Sequence, residues 1–387
     1  VSCSRSSPSR PDYAARPVPF TSVEIDDGFW SPRLEKNRAV TVPYLFDEYE
    51  KRGQSDSRLV EAGSYLIALR PDPDLGRRVE AMLGRALEHY NRKVPGNRWN
   101  DLLNGELYAA GHFFEAAVAF RRATGDLTYL DAARGIGNDI AAVFGPRKRR
   151  DVSQHEEVKI GLIKLARETG ERAFLDLARF FLDERGRSTD GRILHGEYAQ
   201  DHKPVVEQER AVGHAVRAMY LTNALTDLAA YTGEPAYRQA ALRLWNDAVS
   251  KRTYLTGGVG TYRDLEDFGD DYELPNLGCW NEICAAVGNV LWNHRLFLLE
   301  REAKYIDMLE RILYNGMLAG VSLGGDEFLY QVPLKAVAGF AREPWFGPNC
   351  CPPNLARTLA RLGDFVFATG PGGEIYVNLF VGSRARI

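Results

Sequence analysis

The chain has 387 residues, 45% hydrophobic and 26% charged, which is enough for two or more domains with substantial cores. A formal net charge of −3 gives no reason to expect a nucleic acid or an acidic membrane surface as partner. No apolar run reaches the length needed to cross a bilayer.

The chain opens Val1-Ser2-Cys3-Ser4 and continues through Ser, Arg and Pro to Pro17, which reads as a flexible leader over residues 1–17. Cys3 suits a lipid-accepting cysteine left by signal-peptide removal, and equally a fragment boundary. The first reading favours an extracytoplasmic location over a cytoplasmic one.

From about Val40 to Gly363 the apolar residues recur at helical spacing, as in Leu177, Ala178, Phe180 and Phe181. A weak repeat punctuates this region. Thr124-Gly125-Asp126-Leu127-Thr128-Tyr129 is echoed by Thr169-Gly170-Glu171-Arg172-Ala173-Phe174 and by Thr232-Gly233-Glu234-Pro235-Ala236-Tyr237. In each copy Gly ends one helix, an acid suits the next N-terminus, and an aromatic begins the new helix. Ala133, Ala178 and Ala241 follow four residues on. Repeated helix hairpins of this size predict a solenoid or a closed toroid over residues 18–368, with a globular bundle as the alternative.

Thr256-Gly257-Gly258-Val259-Gly260 is a loop free to approach a ligand, but it lacks the context of a nucleotide-binding motif. Six acids follow between Asp264 and Glu273, and composition does not choose among them. Asn281-Glu282-Ile283-Cys284 comes next. Residues two apart on a regular helix point about 200° away from each other, so Glu282 and Cys284 can share a ligand only if a turn opens the helix there. Val321–Leu323, Gly324-Gly325 and Phe328–Val332 read as a β-hairpin. Cys350-Cys351-Pro352-Pro353-Asn354 reads as the entry to a short helix through Leu355, Leu359 and Phe365, with prolines where a missing N–H costs little. Glu374–Val381 reads as a strand, and residues 369–387 as the start of a further β domain of a longer protein.

Five cysteines occur in all, and three of them sit in these two motifs. Three thiols and one carboxylate from two segments make a complete soft-metal site and favour Zn²⁺. Cys279 is assigned to packing. Of the seven histidines, His112, His155, His202 and His214 stand in distinctive surroundings. Each taken singly is more often a satisfied core group, although the ends of paired helices can aim several at one pocket. HExxH and GxSxG are both absent, which argues against a zincin and a serine hydrolase.

These pieces together resemble glycoside hydrolase family 127, the β-L-arabinofuranosidase group. The similarity runs from Asp26-Asp27-Gly28-Phe29-Trp30 through Gly111-His112, His155-Glu156-Glu157, His202-Lys203-Pro204 and Gly213-His214 to Glu282-x-Cys284 and Cys350-Cys351-Pro352-Pro353-Asn354. The lead-in Gly347-Pro348-Asn349 departs from the family pattern. The resemblance implies a mainly α, (α/α)6 toroid followed by β-sandwich domains. It implies Zn²⁺ held by Glu282, Cys284, Cys350 and Cys351, with Cys350 as nucleophile and Glu266 as general acid/base. It further implies that His112, His155, His214 and Tyr330 bind the sugar. The corresponding activity is retaining removal of terminal β-L-arabinofuranosyl or similar units from an oligosaccharide, with a homodimer through further β domains as an option. Two other readings remain at this level: a helical-toroid sugar epimerase or lyase with a purely structural zinc, and a non-catalytic carbohydrate-binding module.

Overall fold

The computed structural model describes residues 11–92, 105–347 and 349–387. Cys3 and Pro348 therefore lie outside the described residues. The helices are α1 (Trp30–Lys36), α2 (Val42–Lys51), α3 (Ser57–Leu69), α4 (Pro73–Asn91), α5 (Glu106–Thr124), α6 (Thr128–Val143) and α7 (Glu157–Thr169). They continue as α8 (Arg172–Glu184), α9 (Ala215–Thr232), α10 (Pro235–Lys251), α11 (Ile283–Glu300), α12 (Ala303–Arg311) and α13 (Cys351–Ala360).

The repeated punctuation is a helix stop. Gly125, Gly170 and Gly233 cap α5, α7 and α9 with φ of 81°, 75° and 68°, left-handed backbone that glycine adopts without a Cβ clash. The hydroxyls of Thr124, Thr169 and Thr232 accept from the backbone N–H two residues on, at 3.1, 3.2 and 3.2 Å. Ala133, Ala178 and Ala241 are wholly buried where the next helix folds back.

The hairpins close into a ring. The inner helices α3, α5, α7, α9, α11 and α13 pack side by side in that order, and α13 returns to α3. Outer helices α4, α6, α8, α10 and α12 each pack on the inner helix before them. The sixth outer position falls to α2, which touches both α13 and α3. The toroid expectation holds. Inner helices α9 and α11 are buried on nearly every face, whereas α8 turns Phe174, Leu177 and Phe181 inward and leaves Asp176 and Arg179 outside.

Backbone proximity sets the pitch of one contact. A Cβ at Gly161 would lie 2.3 Å from the carbonyl oxygen of Gly111, so α5 and α7 cross there with nothing between their main chains. Among the described residues no helix is long and apolar enough to cross a membrane.

Among the described residues five short strands sew the two ends of the chain together: β1 (Arg16–Pro17), β2 (Val23–Ile25), β3 (Phe367–Thr369), β4 (Ile375–Val377) and β5 (Ser383–Ala385). β1 pairs antiparallel with β3 in the register Arg16 to Thr369, β3 pairs with β4, and β2 pairs with β5 in the register Val23 to Ala385.

Two strand readings need correction, and both ends of the chain are tied to the ring. Within the segment read as a leader, Tyr13 donates to Asp227 at 2.5 Å and Ala15 N–H donates to Leu298 O at 2.9 Å. The hairpin over 321–332 is reduced to single bridges, Val321 to Phe328 and Phe328 to Glu343, because the following residues turn away to pair with Glu282. The strand read over Glu374–Val381 is only Ile375–Val377. Residues 369–387 pair with the N-terminal strands through β3 and β5.

Candidate active site

All six inner helices run parallel, so their N-terminal ends share one face of the ring. A cavity of about 320 Å³ opens there. Its wall is built from helix starts: Arg58 of α3, Tyr108 of α5, His155 before α7, His214 before α9, Glu282 before α11 and Cys350 before α13. Each inner helix thus turns its partly positive end toward the same space, which favours anionic side chains there.

The Glu282–Cys284 turn forms as the spacing requires. Glu282 is the extended N-cap of α11 (φ −64°, ψ 139°), so its carboxylate and the Cys284 thiol meet on one side. Asn281 before it takes a left-handed φ of 42°, a conformation that asparagine tolerates. Ile283 N–H donates to Tyr330 O at 3.0 Å, which brings the Tyr330 ring over the cluster. Cys350 is the N-cap of α13, with Pro352 and Pro353 in the first turn.

One donor atom each from Glu282, Cys284, Cys350 and Cys351 lies within 4.8 Å of the other three. The Cys284–Cys351 sulfurs are 3.4 Å apart and the Cys350–Cys351 sulfurs 3.8 Å. Glu282 Oε1 is 3.8 Å from Cys350 Sγ and 3.7 Å from Cys351 Sγ. Metal–thiolate bonds of about 2.3 Å give a tetrahedral edge of about 3.8 Å, so the donor set has the span of a tetrahedral site.

Its charges point the same way. Hydrogen bonds from Cys284 and Cys351 hold the Cys350 thiol well below the usual range. Burial pushes Cys284 and Cys351 up, and burial together with the nearby Cys350 charge pushes Glu282 up. Four acids gathered in a buried spot need a cation to ionise together. Cys279 stands apart from the cluster, accepting from Leu334 N–H at 3.4 Å, as a packing role requires.

Glu266 reaches the cavity through a paired backbone. His214 bridges Asp267, Ala215 N–H donates to Glu266 O at 2.9 Å, and Phe268 N–H donates to Gly213 O at 3.0 Å. Gly213 has φ 69°, and a Cβ there would sit 1.9 Å from Glu197 O, so only glycine allows this approach. Glu266 itself is left-handed at φ 55°. Its Oε2 lies 2.9 Å from His214 Nε2, and its Oε1 accepts from the Tyr330 hydroxyl at 3.5 Å. The same hydroxyl is 3.7 Å from Cys350 Sγ.

His155 accepts the Glu157 N–H at Nδ1 (3.2 Å), which places its proton on Nε2. Burial, reinforced by the Arg217 charge, pushes it well below the usual histidine range, so it is a neutral donor facing the cavity. His112 stands behind the wall, edge-on to Tyr108 at 4.6 Å, with Nδ1 3.1 Å from Glu157 Oε1. Burial pushes it down to about 4. His202 does not line the cavity.

Sequence reading passed over Arg58, Tyr108, Arg217 and Tyr220. Arg58 is ion-paired with Asp56, the N-cap of α3, and donates to the Tyr108 hydroxyl at 2.8 Å. An arginine two residues after a capping aspartate looks like a local pair, and no signal in the sequence marks it as facing a cavity.

The beta-L-arabinofuranosidase GH127 catalytic-domain model matches residues 58–364. The non-reducing end beta-L-arabinofuranosidase of Bifidobacterium longum subsp. longum is 30% identical over 399 residues, taking in 90% of this chain and 61% of that protein. A solved GH127 beta-arabinofuranosidase superposes with a TM-score of 0.89 at 37% identity, covering 97% of this chain and 66% of the other. A GH127 beta-L-arabinofuranosidase from Geobacillus stearothermophilus T6 superposes at 0.86 with 33% identity, covering 93% and 68%. The chain spans about three-fifths of the length of the curated relative it matches. With the model match covering most of its length and the helix ring, the Glu–Cys turn and the tandem cysteines in place, the chain belongs to the beta-L-arabinofuranosidase GH127 catalytic-domain family.

Proposed function

We propose that this chain is the catalytic part of a zinc-dependent retaining glycosidase, releasing terminal β-L-arabinofuranosyl or closely similar units from an oligosaccharide. One observation carries the reading: a single hydroxyl, that of Tyr330, lies 3.5 Å from the Glu266 carboxylate and 3.7 Å from the Cys350 sulfur at one cavity. A retaining glycosidase needs a nucleophile and a proton donor about 5 Å apart across the anomeric centre. The names of the relatives support the choice of sugar.

Three thiolates and one oxygen ligand suit zinc among common metals. Glu282, Cys284, Cys350 and Cys351 would hold it, and when bound it keeps the sulfurs deprotonated. The Cys350 sulfur attacks the anomeric carbon while Glu266 gives its proton to the departing glycosidic oxygen. The carbon–oxygen bond breaks as the carbon–sulfur bond forms. Glu266, now a carboxylate, takes a proton from water as that water attacks the same carbon and the sulfur departs. Two inversions restore the starting configuration. His214 holds Glu266 in place, and His155 donates from Nε2 to a sugar hydroxyl. Tyr330 orients both reacting groups. His112 supports the sugar-binding wall from behind through Tyr108.

The test is hydrolysis of an aryl β-L-arabinofuranoside by the zinc-loaded chain. Turnover with retained configuration, lost in Cys350→Ser without loss of folding, is the expected result. Turnover that survives in Cys350→Ser overturns the cysteine as nucleophile. A chain that binds the sugar and never cleaves it overturns the enzymatic reading.

A further inference from the structure

Beneath the four acidic donors lies Asn354, in the first turn of α13 and wholly buried. Its Nδ2 donates to Cys284 Sγ at 3.1 Å and to the Tyr220 hydroxyl at 3.1 Å. Its Oδ1 accepts from Arg357 Nε at 2.8 Å. A side-chain amide has two orientations related by a half-turn, one of which places oxygen where the other places NH₂. In the flipped orientation two donors would face each other at Arg357, and an oxygen would face the sulfur. Arg357 has only donors, so it decides which end of the amide meets Cys284.

Arg357 is itself held fast. It is buried, and it donates to Glu61 and, at 3.0 Å, to Glu115. Both carboxylates also pair with Lys164. Around these groups is a small cavity of about 20 Å³, whose lining includes Glu61, Glu115, Glu157, Lys164, Tyr220 and Arg357. That is room for about one water. A charge-balanced base therefore stands under Asn354, and Asn354 links it to the Cys284 sulfur of the cluster.

We propose that Asn354 is a positioning residue for Cys284, with its amide orientation set by Arg357. The N–H···S bond fixes the direction from which the Cys284 sulfur can meet an ion and spreads part of its charge onto the amide. Groups behind the ligands of a metal act in this way, and their loss costs about 10–100-fold in affinity. The inference rests on the four donors forming the zinc site proposed above.

The test compares the zinc-loaded native chain with Asn354→Asp and Asn354→Ala. Asn354→Asp keeps an oxygen for Arg357 and removes the donor to sulfur. Asn354→Ala removes both and serves where the aspartate variant does not fold. Zinc release to a chromogenic chelator should be about 10–100-fold faster in the variants. The thiolate-to-cobalt charge-transfer band of the cobalt-substituted chain should shift; loss of the bonds to Arg357 and Tyr220 lowers the melting temperature of the metal-free Asn354→Ala chain by itself, so the band and the release rate are the readouts of the role. Release at the native rate with an unshifted band overturns the role of Asn354 alone. A native chain that takes up no zinc overturns the metal reading, and this inference with it.

Discussion

The hydroxyl of Tyr330 lies 3.7 Å from the sulfur of Cys350, and the ring that carries it is wedged between Trp280 and Phe346 at centroid distances of 5.5 and 5.8 Å. Burial, with the Glu282 charge next, pushes its phenol well above the usual range, so it stays a hydroxyl. Tyr330→Phe keeps the ring packing and removes the hydroxyl that spans acid and thiol. We expect kcat to fall about tenfold, the worth of one hydrogen bond to a charged group, with zinc content unchanged. Unaltered kcat would remove Tyr330 from the mechanism.

Glu266→Gln should lower kcat about 10²–10⁴-fold with alkyl leaving groups and far less with a dinitrophenolate, which needs no proton to depart. The contrast between the two substrates separates lost acid catalysis from general damage. Equal losses on both would point to misfolding or to another acid.

Removal of the metal should loosen the ring as well as stop turnover. The cluster ties the start of α11 to the start of α13, so a ligand at a thousandfold excess over its dissociation constant adds about 4 kcal/mol of stability. Chelation should lower the melting temperature, and Cys284→Ser should bring zinc below one equivalent per chain. A chelated chain that melts at the native temperature would contradict the site.

His294 of α11 is buried edge-on against Phe365 at 4.9 Å, and burial pushes it down to about 3. Its ordinary value in an unfolded chain is about 6.5. Between these values the unfolded chain holds the extra proton. The stability from His294 is therefore complete above about pH 6.5 and is lost, at about 1.4 kcal/mol per pH unit, as pH falls toward 3. His294→Leu should gain on the native chain between pH 6.5 and 4 in urea unfolding and gain nothing at pH 7.5. Parallel pH curves would refute this.

Gly161→Ala would drive a methyl group into the Gly111 carbonyl, 2.3 Å away. Separating α5 from α7 should cost about 1–3 kcal/mol. It should also move Glu157 away from His112, raising KM for the sugar as the wall behind Tyr108 shifts. A variant with native stability and KM would show that the helices can part freely.

The helix pairing was legible because Gly125, Gly170 and Gly233 mark chain reversals by local backbone chemistry. The sixth pair was not, since α2 and α13 meet across most of the chain and no short pattern records it. The Glu282–Cys284 and Cys350–Cys351 turns could be argued from helix geometry alone. Glu266 could not be picked out of six acids on composition. Its place depends on the pairing of 266–268 with 213–215, a contact between distant segments. The hairpin at 321–332 was misread because glycines between apolar runs suit a bridge as well as a ladder.

The helix that shuts the ring, α13, is also the one that begins at Cys350, the thiol proposed to react, and its neighbours on either side are α11 and α3. An open ring would leave Cys350 without Glu282 and without the cavity wall that Arg58 supplies. Competence at this site is thus all-or-none: a protein nicked or frayed enough to free its last inner helix keeps most of its helices and none of its chemistry.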